Sequence, residues 1–303
     1  MRFLISGATG LIGSQLVRAL LARNHQVTIL SRKLHPQLNP IISSTVWDLS
    51  VTPQLIEAVG KADVIINLAG EPLAEKRWSA AQKQKIVDSR VQATKILVQA
   101  VLESKNKPHT FINASAIGIY GNRFDEVITE DSAAGAGFLA QTCMKWEEAL
   151  RALTGLGVRT VFMRTGIVLS TLGGALPKML TPFKLGLGGP LGSGKQWLSW
   201  IHLQDQVGLY IYAAENHQVQ GVLNGTAPNP VNMKQFAKTL GRALRRPAIA
   251  PVPGIALKIL LGEMSSLLLE GQRVLPQKAI AQGYSFQFPI LEGALKDLLS
   301  TKA

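Results

Sequence analysis

The 303-residue sequence predicts an α/β protein: a Rossmann-like, doubly wound parallel sheet with a small, mostly helical C-terminal lobe. Three observations carry that expectation. Short β-branched runs alternate with amphipathic stretches through the first half, the order of a parallel sheet covered by helices. A glycine-rich turn, Gly7-Ala8-Thr9-Gly10-Leu11-Ile12-Gly13, follows the first of those runs at once. The run at residues 62–68 (ADVIINL) is nearly continuous in apolar residues, as a strand buried on both faces should be.

Taken in order, Phe3 to Ser6 is the first expected strand. A helix opens near Leu11, with Leu16 and Leu20, then Val17 and Leu21, paired four residues apart. Val27–Leu30 and Ser44–Trp47 follow as strands, then residues 62–68, a long helix from Gln82 to Glu103, and a strand at Thr110–Ala114. Leu139–Leu153 reads as a helix and Arg159–Arg164 as the sixth strand. Residues 173–194 are dense in glycine and proline, so a loop-rich binding region is expected there. Phe236–Arg245 and Pro253–Leu269 read as helices of the lobe. The expected division is 1–225 for the nucleotide-binding domain, with substrate loops at 173–200, and 226–303 for the lobe.

Glycine lets the chain turn tightly and lets the backbone approach a pyrophosphate, which then sits at the positive end of a helix. The strand–turn–helix setting of Gly7, Gly10 and Gly13 therefore points to a dinucleotide. Folds of this kind that select NAD carry an acidic residue after the second strand, to bond the ribose 2′-hydroxyl. This sequence has Ser31-Arg32-Lys33 instead. An arginine there pairs with a 2′-phosphate, so NADP(H) is the expected cofactor; the plainer reading is a solvated turn arginine. Asp48 is a candidate acceptor for the adenine amino group.

Composition narrows the rest. Hydrophobic residues make up 47% and charged residues 17%, which excludes a disordered chain. The lone Cys143 excludes a disulfide framework and a multi-cysteine metal site, and the five histidines form no ligand pair, so no metal is expected. Without a secretory apolar region, the expected location is the cytoplasm. Ile255–Leu269 is interrupted by Lys258 and Glu263, so it is read as a buried or partner-facing helix and not as a membrane span. The net charge of +13 suits anionic partners. It comes with no nucleic-acid motif, so nucleic acid is not an expected partner, and a basic surface of no specific meaning stays open.

The glycine turn, Asn67-Leu68-Ala69-Gly70 and Trp200-Ile201-His202-Leu203-Gln204-Asp205 resemble motifs of the extended short-chain dehydrogenase/reductase superfamily. A narrower resemblance covers nearly the whole chain. Gly70-Glu71-Pro72, Lys76-Arg77-Trp78, Asp88-Ser89-Arg90, Lys145-Trp146-Glu147, Arg164-Thr165-Gly166, residues 182–190 and residues 270–276 are similar to the YfcH-like epimerase family, some of whose members are labelled SulA-like. The resemblance implies that Gly7, Thr9, Gly10, Leu11, Ile12, Gly13, Ser31, Arg32, Leu68, Ala69, Gly70 and Arg90 touch NADP(H). Lys85 is a weaker candidate that a solvated helix face explains equally well.

Short-chain reductases use Tyr-x-x-x-Lys, in which the lysine lowers the phenol pKa. None of the four tyrosines here has a lysine four residues on. By resemblance, Ser115 orients a substrate carbonyl, Lys145 bonds the nicotinamide ribose, and Tyr120 is the only nearby phenol that could stand in. The plainer readings are a surface lysine and a packed tyrosine. His202 and Asp205 are expected to organise a strand end and cap the next helix. Trp197 and Trp200 stand where sugar-nucleotide relatives place an arginine, which argues for a flatter, more apolar substrate. Two functions lead, an NADP(H)-dependent oxidoreductase of unknown small-molecule substrate, or an NADP(H)-binding sensor or scaffold without turnover, linked by the family label to cell division; a third, a sugar-nucleotide epimerase, fits the family name and little else.

Overall fold

The computed structural model describes residues 1–32 and 42–300; Lys33, part of the motif after the second strand, lies outside them. Seven parallel strands form the main sheet: β1 (Arg2–Ser6), β2 (Gln26–Ser31), β3 (Ile42–Val46), β4 (Val64–Asn67), β5 (Thr110–Ala116), β6 (Arg159–Thr165) and β7 (Gly221–Gly225). Their spatial order is β3-β2-β1-β4-β5-β6-β7, so the chain reverses its direction of travel across the sheet between β1 and β4. All four residues of β4 are buried, as its apolar run requires.

Helices α1 (Leu11–Ala22), α2 (Pro53–Lys61), α3 (Ala80–Glu103), α4 (Phe138–Glu148), α5 (Ala175–Lys184) and α6 (Leu203–Glu215) follow. On one face, Phe3, Ile5, Val64, Ile66 and Ile112 pack with Leu16 and Leu20 of α1 and Leu209 of α6. On the other, Leu4, Ile65 and Phe111 pack with Leu55 of α2 and Leu97 and Val101 of α3. Strand side chains alternate between these two cores with period two. Each fully buried large aliphatic or aromatic side chain contributes about 1.5–3 kcal/mol.

Residues 173–194 correct the expectation of a loop. α5 lies inside them, and Leu176, Leu180 and Phe183 form one apolar face along it. Glycines and prolines crowd its ends, and Pro182 falls in its last turn. The apolar spacing prevails because that face has a core to enter: Phe236 and Leu240 of α7 (Met233–Leu244), Leu291 and Leu295, and Trp200. The core of the lobe thus draws on residues before 225 as well as after. The expected helix at Pro253–Leu269 is three pieces: α8 (Gly254–Leu261), a 3-10 turn at Gly262–Ser265, and α9 (Ser266–Leu269). Gly262, at φ +59°, ends α8. Two short helices, α10 (Gln277–Ala281) and α11 (Leu291–Ser300), complete the chain. Among the described residues no helix is long and apolar enough to cross a membrane, and no cluster of His, Cys, Asp and Glu could hold a metal.

Candidate functional site

Ligands of open α/β sheets sit beyond the carboxyl ends of the strands, where the strand order reverses. Here that is the crevice between β1 and β4, since α1 packs on one face and α3 on the other. Gly7 enters the turn at φ +68°, and a Cβ there would lie 2.7 Å from the backbone carbonyl of Leu68. A Cβ on Gly13 would lie 2.3 Å from the Gly7 carbonyl oxygen. Both positions therefore exclude any other residue. Gly10 is less constrained, its added Cβ meeting only the Gly7 oxygen at 3.3 Å.

Gly10 is the N-cap of α1, which has neither a side-chain cap nor an acidic residue in its first turn. α2 and α3 differ, their first N–H groups being met by Thr52 and Ser79. The positive end of α1 therefore has no anionic or side-chain oxygen of its own. Thr9 and Gly10 are exposed, and Leu11 and Ile12 half-buried. Leu68, Ala69 and Gly70 leave β4 directly across the crevice, and the Arg90 side chain crosses over Gly70, where a Cβ would meet its Cζ at 3.1 Å. Arg90 rests on the Trp146 ring at 5.2 Å and donates to the Ile86 carbonyl, and burial lowers its pKa. Ser31 ends β2 and exposed Arg32 follows it, on the strand beside β1. Asp48, exposed beyond β3, is held by the Ser50 hydroxyl, which lowers its pKa. These residues fit a dinucleotide: a backbone cradle open to a diphosphate, with cations on either side of it.

Sheet register sets two rows of polar side chains near the strand tips, the first at the crevice and the second beside it. The first runs Ser6, Asn67, Asn113 across β1, β4 and β5. Ser6 donates to Asn67 Oδ1 at 2.6 Å, and Asn67 Nδ2 donates to Asn113 Oδ1 and to Thr94 of α3. Trp146 Nε1 donates to the same Thr94 hydroxyl at 3.0 Å. All are buried and neutral, and they lock the strand tips to both covering helices.

The second row, two residues further along, runs Ser115, Arg164, Asn224 across β5, β6 and β7. Glu147 of α4 accepts from Ser115 Oγ at 2.6 Å and from Arg164 Nε and Nη2 at 2.9 and 2.8 Å. Arg164 Nη1 donates to the Tyr120 hydroxyl, which donates to Asn224 Oδ1 at 2.8 Å. Burial alone would lower the Arg164 pKa; the Glu147 bonds and charge outweigh it, and the pKa is raised.

Tyr120 is fully buried, and burial raises its pKa, the opposite of what a catalytic phenol needs. In this structure its hydroxyl is enclosed and held on two sides, donating to Asn224 and accepting from Arg164. Lys145 lies exposed in the last turn of α4. Ser115, Glu147 and Arg164 are brought together; Lys145 is not bonded into this row. Glu147 and Arg164 were visible in the sequence only as parts of quoted motifs, with nothing to pair them. Cys143 is buried, and burial pushes its thiol up to about 11, which removes it as a nucleophile.

Trp200 corrects an expectation. It is fully buried in the core of the lobe with Nε1 donating to the Asn229 carbonyl, so it shapes no pocket. Trp197 donates to Asp125 and stacks on Arg273. His202 caps α6 by accepting from the Gln204 N–H, and Asp205 accepts from the N–H groups of Gln287 and Phe288. A cleft of about 470 Å³, lined by Trp78, Phe138, Lys258 and Leu269 among others, opens between the lobe and the starts of α3 and α4.

Comparison with known proteins agrees with this architecture. Residues 3–224 match the NAD dependent epimerase/dehydratase family, and residues 252–298 match a domain of unknown function, DUF1731. The epimerase family protein YfhF of Bacillus subtilis is 42% identical over 303 residues, covering 100% of this chain and 99% of that protein. A crystal structure of human epimerase family protein SDR39U1 (isoform 2) with NADPH superposes with a TM-score of 0.90 at 37% identity, covering 99% of each chain. A nucleoside-diphosphate sugar epimerase from Corynebacterium glutamicum gives 0.79 at 33% identity, over 98% of this chain and 58% of that one. A seven-stranded parallel sheet, a glycine turn at its switch point and full-length similarity to these relatives lead to one conclusion: the chain belongs to the NAD dependent epimerase/dehydratase family.

Proposed function

We propose that this chain binds NADP(H) in the β1/β4 crevice and acts as an oxidoreductase on a small carbonyl or hydroxyl substrate. The observation that carries the reading is the open turn at the start of α1, with Arg32 at the tip of the neighbouring strand. The NADPH-bound human relative supports it. The first-turn N–H groups of α1 hold the diphosphate, Arg32 takes the 2′-phosphate, and Leu68 to Gly70 line the opposite wall. Arg90, already partly desolvated, adds a guanidinium fork for phosphate oxygens. When bound, the cofactor supplies or accepts the hydride.

The proton side falls to Ser115 and Glu147. Ser115 Oγ donates to Glu147, which leaves its lone pairs to accept from a substrate hydroxyl. Glu147 is the base at the end of that short relay, and Arg164 holds its carboxylate in place through two hydrogen bonds. Lys145 serves the ribose if it folds inward from α4. The buried, inert Cys143 suits a reducing cytoplasm. One observation favours a second reading, an NADP(H) sensor without turnover: the Ser115–Glu147–Arg164–Tyr120 row is internally satisfied, and no Tyr-x-x-x-Lys is present.

Titration with NADPH and NADH separates the cofactors, and Arg32→Asp tests the site. Loss of one charged hydrogen-bonding partner is worth about 1.5–3 kcal/mol, so NADPH affinity should fall roughly tenfold to a hundredfold while NADH affinity holds. Equal losses would remove Arg32 from the 2′-phosphate. Oxidation of NADPH by a member of a carbonyl panel, abolished by Ser115→Ala, would establish the reductase. Protection from unfolding by a UDP-sugar would point instead to a sugar-nucleotide substrate.

A further inference from the structure

Helix α8 stands on the lobe with little packed against it. Of residues 255–260 only Leu257 is buried, while Ile255 and Ile259 are each 74% exposed and Leu260 68%. Beside it, Ala250 N donates to the Gly188 carbonyl, Val252 N to the Pro190 carbonyl and Gly192 N to the Val252 carbonyl, which lays residues 188–192 along 250–252. Leu185, Leu187 and Ile249 are exposed just before those two paired stretches. The Cβ position of Gly254, at the start of α8, lies 3.7 Å from Gly192 Cα, so these stretches and the helix form one corner. Six large aliphatic side chains gathered in water are unusual for a protein surface and mark a contact site.

Charge decides what they contact. Residues 149–204 carry six basic and no acidic residues, and residues 216–262 again carry six and none. These two segments account for 12 of the 13 net positive charges, and they are the segments that build the apolar corner. Arg159 and Arg164 are engaged in the sheet, but Lys184, Arg246 and Lys258 are exposed within three residues of Leu185, Ile249 and Ile259 along the chain, and Arg242 is exposed one helical turn before Arg246. A second copy of this chain would bring like charge to the same place. Nucleic acid would offer its phosphates but no apolar partner. A bilayer with anionic headgroups offers both.

We propose that this corner docks the protein on the surface of an anionic phospholipid bilayer. Ile255, Ile259 and Leu260 enter the headgroup–acyl boundary, and Lys258 and Arg246 stay at headgroup level, their stems lying along the apolar side chains. The contact is interfacial, since no described helix can span. Lys258 and the turn after α8 also wall the cleft, so docking sets its mouth at the lipid surface.

The test is flotation of the full chain with vesicles of phosphatidylcholine alone and of phosphatidylcholine and phosphatidylglycerol in equal parts. Binding should require the anionic lipid and weaken with added salt. The double variant Ile255→Gln, Ile259→Gln should bind about tenfold less or worse, because burial of two isoleucines is lost. Arg242→Glu with Arg246→Glu should lose a comparable factor through charge. Both pairs are exposed, so the thermal midpoint should not move. Equal binding to neutral vesicles, or full binding by the isoleucine variant, would overturn the proposal. So would a concentration-dependent dimer in light scattering that the isoleucine variant abolishes, which would assign the corner to a second copy.

Discussion

The two polar rows near the strand tips are built alike from sheet register, yet they leave opposite things exposed. The Ser6–Asn67–Asn113 row is neutral and pulls its own side chains inward, which holds the β1 and β4 tips still and presents backbone N–H groups above it. The Ser115–Arg164–Asn224 row carries full charges, closed by Glu147 and Tyr120 from outside the row. Cofactor binding therefore rests on backbone conformation, whereas the second row rests on a charge pair whose halves come from a helix and a strand. The first kind of site is intolerant of added atoms, the second of lost charge.

The largest effect expected on that contrast is Gly7→Val. Valine at φ +68° meets the roughly 1–2 kcal/mol penalty of a left-handed residue, and its Cβ would press on the Leu68 carbonyl, a backbone group that cannot swing aside. A loss of at least about 3 kcal/mol in urea unfolding, together with loss of NADPH binding, is expected. Gly10→Ala is the control, because its Cβ meets a single oxygen at 3.3 Å and its φ is −76°. It should keep the fold and weaken only the cofactor. Equal destabilisation by both would break the distinction between a conformational glycine and an approach glycine.

Glu147→Gln probes the second row. The carboxylate and Arg164 have side chains only 13% and 10% exposed, so neutralising one leaves a nearly buried charge alone. Breaking such a pair costs about 3–5 kcal/mol, and the lower end is expected because glutamine keeps one acceptor. Adding Arg164→Met should recover part of the loss, which a double-mutant cycle in denaturant would measure. A cost near zero would mean that water already screens the pair.

The same contrast explains what the sequence made legible. The glycine turn was readable because its role lies in the local backbone of seven consecutive residues. Glu147 and Arg164 carry no pairing signal in the sequence, because 17 residues separate them and only the packing of α4 against β6 brings them together. β7, with glycine at both ends, has weak strand propensity and exists through its pairing with β6. α2 was missed although Thr52 and Pro53 form a sound start signal, cap followed by proline at the first position. The indole at Trp200 looked like pocket wall for want of knowing which side of an extended segment faces the core of the lobe.

Tyr120→Phe gives a smaller effect and separates a positioning residue from a catalytic one. Removing the hydroxyl strips Arg164 Nη1 of an acceptor and Asn224 Oδ1 of a donor, a cost of about 1–3 kcal/mol in stability. NADPH affinity should not change, and any turnover found should persist with an unaltered pH profile. A collapse of turnover with stability intact would put the phenol in the chemistry and show that the row opens.

The smallest effect lies at the far end of the row, where Glu130 accepts from the N–H groups of Asn224 and Lys278. Burial raises its pKa above 4.5 despite those bonds. A carboxyl group whose pKa is higher in the fold than in the unfolded chain binds its proton more tightly when folded. Its contribution is therefore fully present below 4.5 and is lost as pH rises through the raised value. Glu130→Gln removes that titration while keeping an acceptor for one N–H. The difference in stability between the parent chain and the variant should change with pH above 4.5 and then level off, the parent losing ground as its carboxyl group ionises. Urea midpoints measured across that interval read it directly. A difference that stays flat would mean that Glu130 is ionised as easily in the fold as out of it, and that the outer end of the charged row is open to water after all.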